Sequence, residues 1–453
     1  MVSMIRFALG SFLALLAATV GASAGPEVRI ADSVFLVPDA NARSITLTMI
    51  VGAGCSDEPH GVCKGVSHYL EHLLFLGRNP DRNPVASAFF RDGVANGATS
   101  HLTTTYWDQF PARAQTQAAD LDRLFGYFTQ RLTGFEVTDA DANRERNVVL
   151  QEYKWRVASR PVARFQTMMN AALLPDDPFA QQVAGDPQKI AAYSVADARA
   201  FHQRWYAGNN ATFVIHGPVE AGAVKALVDK YLAPLPEKKL PERDWLRALR
   251  TFAPASETPR AEDPDVQRTM VEIDKIVRYE EGDRARSEAA RRVLNTWLGG
   301  RFDGGPHDRI VEGAGLTDEI GAMYAVREGA GALWLTIGAE PGDGVTPEKL
   351  AAGFTSYLTD SAVEGVPAAV VERIKKRLIE ERSLSERDPD SFARQLTQWF
   401  GQRRSYEDFA NYSADIADVT TDDVNLLLRA LAGPGREIVG VLAPAKGSAQ
   451  GSE

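Results

Sequence analysis

Residues 66–77 constrain this chain most, because they read as a strongly apolar helix that also carries His68, Glu71 and His72. Histidines four residues apart lie one turn above each other on one helical face, and Glu71 shares that face. Leu70, Leu73, Leu74 and Leu76 make the other faces apolar, so such a helix is mostly buried. Two imidazoles and a carboxylate need partners when buried, and a metal ion supplies them. The donor set points to Zn2+, one per chain, with a third protein ligand and a fourth position left to water. Glu71 can then act as general base on that water. A structural zinc site would instead close its fourth position with another protein ligand.

The third ligand is expected on another rigid element. Glu145 and Glu152 stand seven residues apart, two turns along one helical face. Val148 and Val149 lie between them and predict that this face turns inward.

With 453 residues, 44% of them apolar and 24% charged, the chain can build two or three ordinary cores. Alternation from Ile45 to Val51 predicts a largely buried strand. Helical spacing covers residues 62–76, 118–132, 139–157, 195–206 and 221–231, with Thr138 and Ser194 as N-caps, and a strand covers 212–216. Strands and helices mix without a regular βαβ rhythm, which predicts an α+β fold. Pro234, Pro236, Pro241, Pro254, Pro259 and Pro264 then sit among charged residues, as in a linker. A second half opens similarly, with a strand near 269–276 and a helix over 283–298. The expected organisation is a signal peptide at 1–24, domains at 25–231 and 265–444, a linker at 232–264 and a disordered tail at 445–453. No repeat between the halves is visible by eye.

Arg6, the apolar run 7–20 and Ala22-Ser23-Ala24 read as a secretory signal cleaved after Ala24. The run is shorter than the ~20 residues of a membrane span, so a membrane anchor is not expected and the mature chain is placed in the periplasm or outside the cell. The formal charge of −10 and the lack of a basic stripe argue against nucleic acid as a partner. Cys55 and Cys63 are the two cysteines. Export favours a disulfide between them; free thiols or a Cys/His metal loop with His60 are the alternatives.

The order of His68, Glu71 and His72 resembles the inverted motif of the insulinase/pitrilysin family of zinc peptidases, the inverzincins. The resemblance extends to Val51-Gly52-Ala53-Gly54, Phe75-Leu76-Gly77, Asn96 to Ser100, Glu145 to Glu152, Gly185-Asp186-Pro187 and Phe201 to Asn210. In the second half it rests on Leu298-Gly299-Gly300-Arg301 and Gly315-Leu316. It implies two similar α+β domains, each a mixed sheet with helices packed on it, facing a cavity. It also implies His68, His72 and Glu152 as zinc ligands, Glu71 as base and Glu145 as the carboxylate that orients the site. Asn96, Ala98 and Thr99 resemble an edge strand that pairs with an extended peptide. The Arg and Tyr that close over substrate in this family fall here on Val311 and Asp318; Arg309 and Tyr324 are wrongly spaced. Short chains of the family pair with a second subunit of the same fold, so a partner supplying the Arg/Tyr pair is expected.

The expected activity is zinc-dependent endopeptidase action on extended or unfolded peptides, and the alternative is a non-catalytic scaffold or assembly subunit. The glycines from Gly299 to Gly305 lack the Gly-Lys-Ser/Thr ending of a phosphate loop. Trp155 and Trp205, at helical spacing among apolar residues, are expected in the core.

Overall fold

A computed structural model describes residues 27–76, 93–175, 177–243, 255–279, 284–324 and 332–445. The segments read as signal peptide (1–24) and most of the tail lie outside them. Strands β1 (Val28–Ala31), β2 (Val34–Pro38), β3 (Ser44–Val51), β4 (Val94–Thr99), β5 (Thr104–Pro111) and β6 (Ala211–Gly217) form one sheet, in the order β1-β2-β6-β3-β5-β4. Strands β7 (Ala255–Glu257), β8 (Arg260–Asp263), β9 (Met270–Arg278), β10 (Gly321–Tyr324), β11 (Ala332–Ala339) and β12 (Gly435–Pro444) form the other. Its order is β10-β11-β9-β12, with β7 and β8 both paired to β12.

Counted within its own half, each sheet runs fourth, fifth, third, sixth strand from one edge. In both, the sixth strand is parallel to an early strand, β2 in one case and β7 with β8 in the other; the remaining pairings are antiparallel. The halves are therefore one α+β topology used twice. Residues 255–257 and 260–263, inside the stretch read as linker, are strand because β12 offers them a backbone edge. Local proline content could not show that.

Helices of the first half are α1 (Val66–Phe75), α2 (Gln117–Thr133), α3 (Asp139–Tyr153), α4 (Pro161–Leu173), α5 (Pro187–Ala191), α6 (Val195–Trp205) and α7 (Ala221–Leu227). Those of the second are α8 (Arg284–Gly299), α9 (Pro347–Glu364), α10 (Ala368–Glu386), α11 (Pro389–Gly401), α12 (Tyr406–Ala410), α13 (Tyr412–Asp418) and α14 (Thr421–Ala432). None among the described residues is long and apolar enough to cross a membrane. Thr138 and Ser194 cap α3 and α6 as expected, accepting from Asp141 and Asp197 N–H.

Two expectations fail where α3 ends. The helix stops at Tyr153 and a wider turn, Lys154–Ala158, follows. The change of period breaks the spacing that assigned Trp155 to the core: it is 62% exposed, whereas Trp205 is buried. Of the two valines expected to face inward, Val149 is buried and Val148 is 44% exposed, since neighbours on a helix point about 100° apart.

The halves are bound by an exchange of helices. Phe165, Met169 and Leu173 of α4 pack on Ile276, Trp334, Ile438 and Leu442 of the second sheet. In return, Phe392, Leu396 and Phe400 of α11 pack on Phe35, Val37, Ile50 and Val214 of the first. Each such side chain, fully buried, stabilises by about 1.5–3 kcal/mol. The central strands β3 and β9 are therefore buried along most of their length on both faces.

Glu272 is one of three buried polar residues on β9, with Asp274 and Lys275, and is flanked by Gly338 and Gly440 on the neighbouring strands. Burial, and then the Asp274 carboxylate, push its pKa up to about 7 from 4.5. An acid with a raised folded pKa loses stability as pH rises, because the unfolded chain ionises first. The loss begins near the unfolded value and is complete above the folded one. Glu272→Gln is therefore expected to raise the first thermal unfolding transition near pH 8, by the equivalent of roughly 2–3 kcal/mol, and to leave it nearly unchanged near pH 4.5. Scanning calorimetry at both pH values checks this; equal shifts at the two would rule out ionisation as the cause.

Candidate metal centre

Helix α1 starts after Gly65, whose φ of 94° is a left-handed conformation suited to glycine. Glu58, in the preceding loop, caps it. Its Oε2 accepts the Lys64 and Gly65 N–H groups at 2.8 and 3.1 Å. Its Oε1 accepts the Ser67 N–H and hydroxyl at 2.9 and 2.8 Å. A carboxylate here also meets the positive end of the helix dipole. Burial outweighs these donors and leaves the Glu58 pKa raised.

Cys55 and Cys63, with Cα atoms 5.0 Å apart, are joined in a disulfide that closes the loop carrying Glu58. With the sulfurs bonded to each other, neither is a thiolate, and a Cys/His metal loop is not formed. His60 sits exposed on this loop.

Tyr69 Oη donates to the Ala142 carbonyl at 2.7 Å and pins α1 across α3. Leu70, Leu73 and Val149 belong to the core beneath. This crossing sets the two histidines against the two glutamates. Glu152 Oε2 lies 3.6 Å from His68 Nε2 and 3.4 Å from His72 Nε2. Glu145 Oε2 lies 3.4 Å from the other nitrogen of His72, Nδ1. Ligand atoms of His68, His72 and Glu152 all fall within 4.8 Å of one another.

The electrostatics fit a bound cation. Burial, and next the positive His72, hold His68 down to about 4, so its imidazole is neutral and free to donate a lone pair. Burial also opposes charge on His72, but hydrogen bonds to Glu145 and Glu152 and the Glu71 charge outweigh it and hold His72 up to about 9. Three carboxylates thus converge where a positive charge is favoured. Two imidazole nitrogens, His72 giving up its proton to the incoming ion, and one carboxylate oxygen are donors that zinc accepts, and Glu145 on Nδ1 leaves Nε2 of His72 facing the other donors.

Glu71 stands beside these donors. Thr99 Oγ1 donates to its Oε2 at 2.7 Å. Burial pushes Glu71 up, with the Thr99 hydrogen bond and His72 pulling back, and the net shift is upward, toward what a general base needs. A Cβ on Gly97 would meet Glu71 Oε1 at 2.7 Å, so a side chain there would displace the Glu71 carboxylate. Asn96 and Ala98 lie exposed on β4, which among the described residues is the outermost strand of its sheet and pairs with β5 alone.

These groups line an open cavity of about 510 Å³, bounded by α1, β4, α3 and Arg156. Among the described residues every side chain lining it comes from the first half. Helix α8 holds the place in the second half that α1 holds in the first and contains no histidine. Arg309 is engaged with the exposed Glu364, away from any such role, and the side chain of Tyr324 lies outside the described residues.

Comparison with known proteins places the chain. Residues 33–186 match the family model described as Insulinase (Peptidase family M16), and residues 192–378 match the Peptidase M16 inactive domain. The chain belongs to the insulinase family. The Escherichia coli protein named "Probable zinc protease PqqL" is 31% identical over 198 residues, covering 40% of this chain and 20% of that protein. The Pseudomonas aeruginosa "Coenzyme PQQ synthesis protein F" is 28% identical over 367 residues, covering 76% of this chain and 44% of the relative. The chain thus spans less than half the length of these curated relatives. The crystal structure of a protease from Helicobacter pylori shares the fold, with a TM-score of 0.73 at 18% identity, over 92% of this chain and 99% of the other.

Within this insulinase-family site, the sequence reading missed Glu58, Gly97 and Arg156. Arg156 was within reach, four residues after Glu152 on a helical pattern. Glu58 and Gly97 carry no local signal, because their partners lie on other elements.

Proposed function

We propose that this chain is a zinc-dependent peptidase acting on extended or unfolded peptides, with His68, His72 and Glu152 as the ligands of one zinc ion. The convergence of three donor groups within 4.8 Å beside Glu71 carries this reading. The names of the relatives, among them zinc proteases, support it at the level of the family. A zinc ion held by these residues would supply Lewis-acid polarisation of the scissile carbonyl and lower the pKa of a bound water. Glu71 takes the proton of that water on a carboxylate oxygen and passes it to the leaving amine. Thr99 orients Glu71 through the 2.7 Å hydrogen bond, and Glu145 fixes the ring of His72. The open edge of β4, at Asn96, Ala98 and Thr99, pairs with the substrate backbone, which requires an extended peptide.

The cavity is open to solvent, and no second-half residue described lines it. We therefore extend the proposal to a partner of the same fold that closes the cavity with an Arg/Tyr pair. Export to the periplasm follows from residues 1–24 and accords with one solved relative, the periplasmic protease PqqL from Escherichia coli. A non-catalytic scaffold has less support, because the base and all three donors are present together.

The test is to load the metal-free mature chain with zinc and follow cleavage of an unstructured fluorogenic peptide pool, alone and with candidate companion subunits. One zinc per chain and cleavage abolished by chelation are expected. Failure to bind zinc, or cleavage that survives chelation, would sink the peptidase reading. Full activity from the isolated chain would remove the partner.

A further inference from the structure

Arg156 lies on the wide turn after α3, four residues beyond Glu152, and its Nε is 2.9 Å from Glu152 Oε1. The other oxygen of that carboxylate, Oε2, is the one between the two histidines. The guanidinium is therefore paired with the oxygen that is not offered to the metal position, and Oε2 is left to face the histidines. Arg156 is the sole Lys or Arg among the described residues lining the cavity, and its side chain is 64% exposed. Beyond the pair with Glu152 it makes no other ion pair or hydrogen bond among the described residues. An arginine carries five donors in a rigid fork, so one edge can bind Glu152 while the other stays available to a second carboxylate. Four residues further on, the Arg160 guanidinium lies over the exposed ring of Trp155, 5.2 Å from its centroid.

We infer that Arg156 is a positioning residue for Glu152 and, through its free edge, a specificity residue that favours peptides carrying an Asp, Glu or terminal carboxylate near the scissile bond. This rests on the proposed zinc-peptidase reading. The carboxylates of Glu71, Glu145 and Glu152 would by themselves repel an acidic peptide from the cavity. A divalent ion leaves one of those negative charges uncompensated, and Arg156 supplies the balance at the mouth where the peptide enters. The wide turn matters here: it carries Arg156 off the end of α3 and over the site, and it leaves Trp155 and Arg160 on the surface beside it.

The experiment has two readouts, neither of them turnover. Zinc affinity is measured by chelator competition for the parent, Arg156→Ala and Arg156→Lys. Peptide affinity is measured on the Glu71→Gln background, with and without Arg156→Ala, using unstructured peptide pools that differ only in Glu against Gln. Arg156→Ala is expected to weaken zinc binding about ten- to a hundredfold. It should also abolish a Glu-over-Gln preference of about tenfold, the size of one hydrogen-bonded charge pair. Arg156→Lys should keep part of the peptide preference, as a point charge without the fork, and recover little zinc affinity. Unchanged zinc affinity in Arg156→Ala overturns the positioning role, and equal binding of the two pools by the Glu71→Gln chain overturns the recognition role. A parent chain that binds no zinc overturns the peptidase reading and this inference with it; one that binds zinc and cleaves peptides while Arg156→Ala matches it in both readouts overturns this inference alone.

Discussion

Replacing Glu71 by Gln is expected to lower kcat/KM by about two to four orders of magnitude while leaving zinc content unchanged. The substitution keeps the shape of the side chain and an oxygen to accept the Thr99 hydroxyl, so the packing against β4 survives. It removes the one thing a neutral amide cannot do, which is to take a proton from water and return it to the amine. The metal should be indifferent, because the converging donors are His68, His72 and Glu152. Metal analysis beside steady-state kinetics separates the two effects. A Glu71→Gln chain that cleaves within a few fold of the parent would show that the base lies elsewhere. Loss of zinc along with activity would show that Glu71 belongs to the donor set.

Asp108→Ala is expected to give the largest loss of stability from a single change in the first half. Asp108, on β5, is 1% exposed, and its Oδ2 lies 3.6 Å from Nη1 of Arg131, on α2, itself 2% exposed. The Arg131 guanidinium is enclosed by the rings of Phe75, Tyr106, Tyr127 and Phe128, at 4.2–5.1 Å from their centroids. It also donates to Tyr127 Oη at 3.1 Å. Aromatic faces attract a cation but do not neutralise it, so the carboxylate is what makes its burial tolerable. Removing one partner of such a pair leaves an uncompensated buried charge and costs about 3–5 kcal/mol. Replacing both at once, with Asp108→Leu and Arg131→Met, should recover most of that loss, since an apolar pair of similar volume needs no desolvation. The first thermal transition of the two single variants and the double variant measures this. A single Asp108→Ala variant within about 1 kcal/mol of the parent would mean that water reaches Arg131. The functional consequence runs through β5: Asp108 is in register with Ala95 of β4, so the edge offered to a peptide rests on the strand that this pair anchors.

What the sequence determined by itself lies within a few residues of chain. The spacing of His68, Glu71 and His72 put three polar groups on one face of α1, and seven residues put Glu145 and Glu152 on one face of α3, because a helix repeats every 3.6 residues wherever it sits. The alternation of β3, the caps at Thr138 and Ser194 and the α+β character were legible for the same reason. The tertiary structure decided what depends on partners far along the chain. It made residues 255–257 and 260–263 strand by offering the edge of β12, and it gave both halves one strand order that side-chain identity does not preserve. It crossed α4 and α11 between the sheets and brought Glu58 onto the start of α1. The widened turn after Tyr153 placed Trp155 in solvent and Arg156 on Glu152. A period can be read from neighbours, whereas the burial of a given side chain depends on which distant surface covers it, and that is settled only when the whole chain packs.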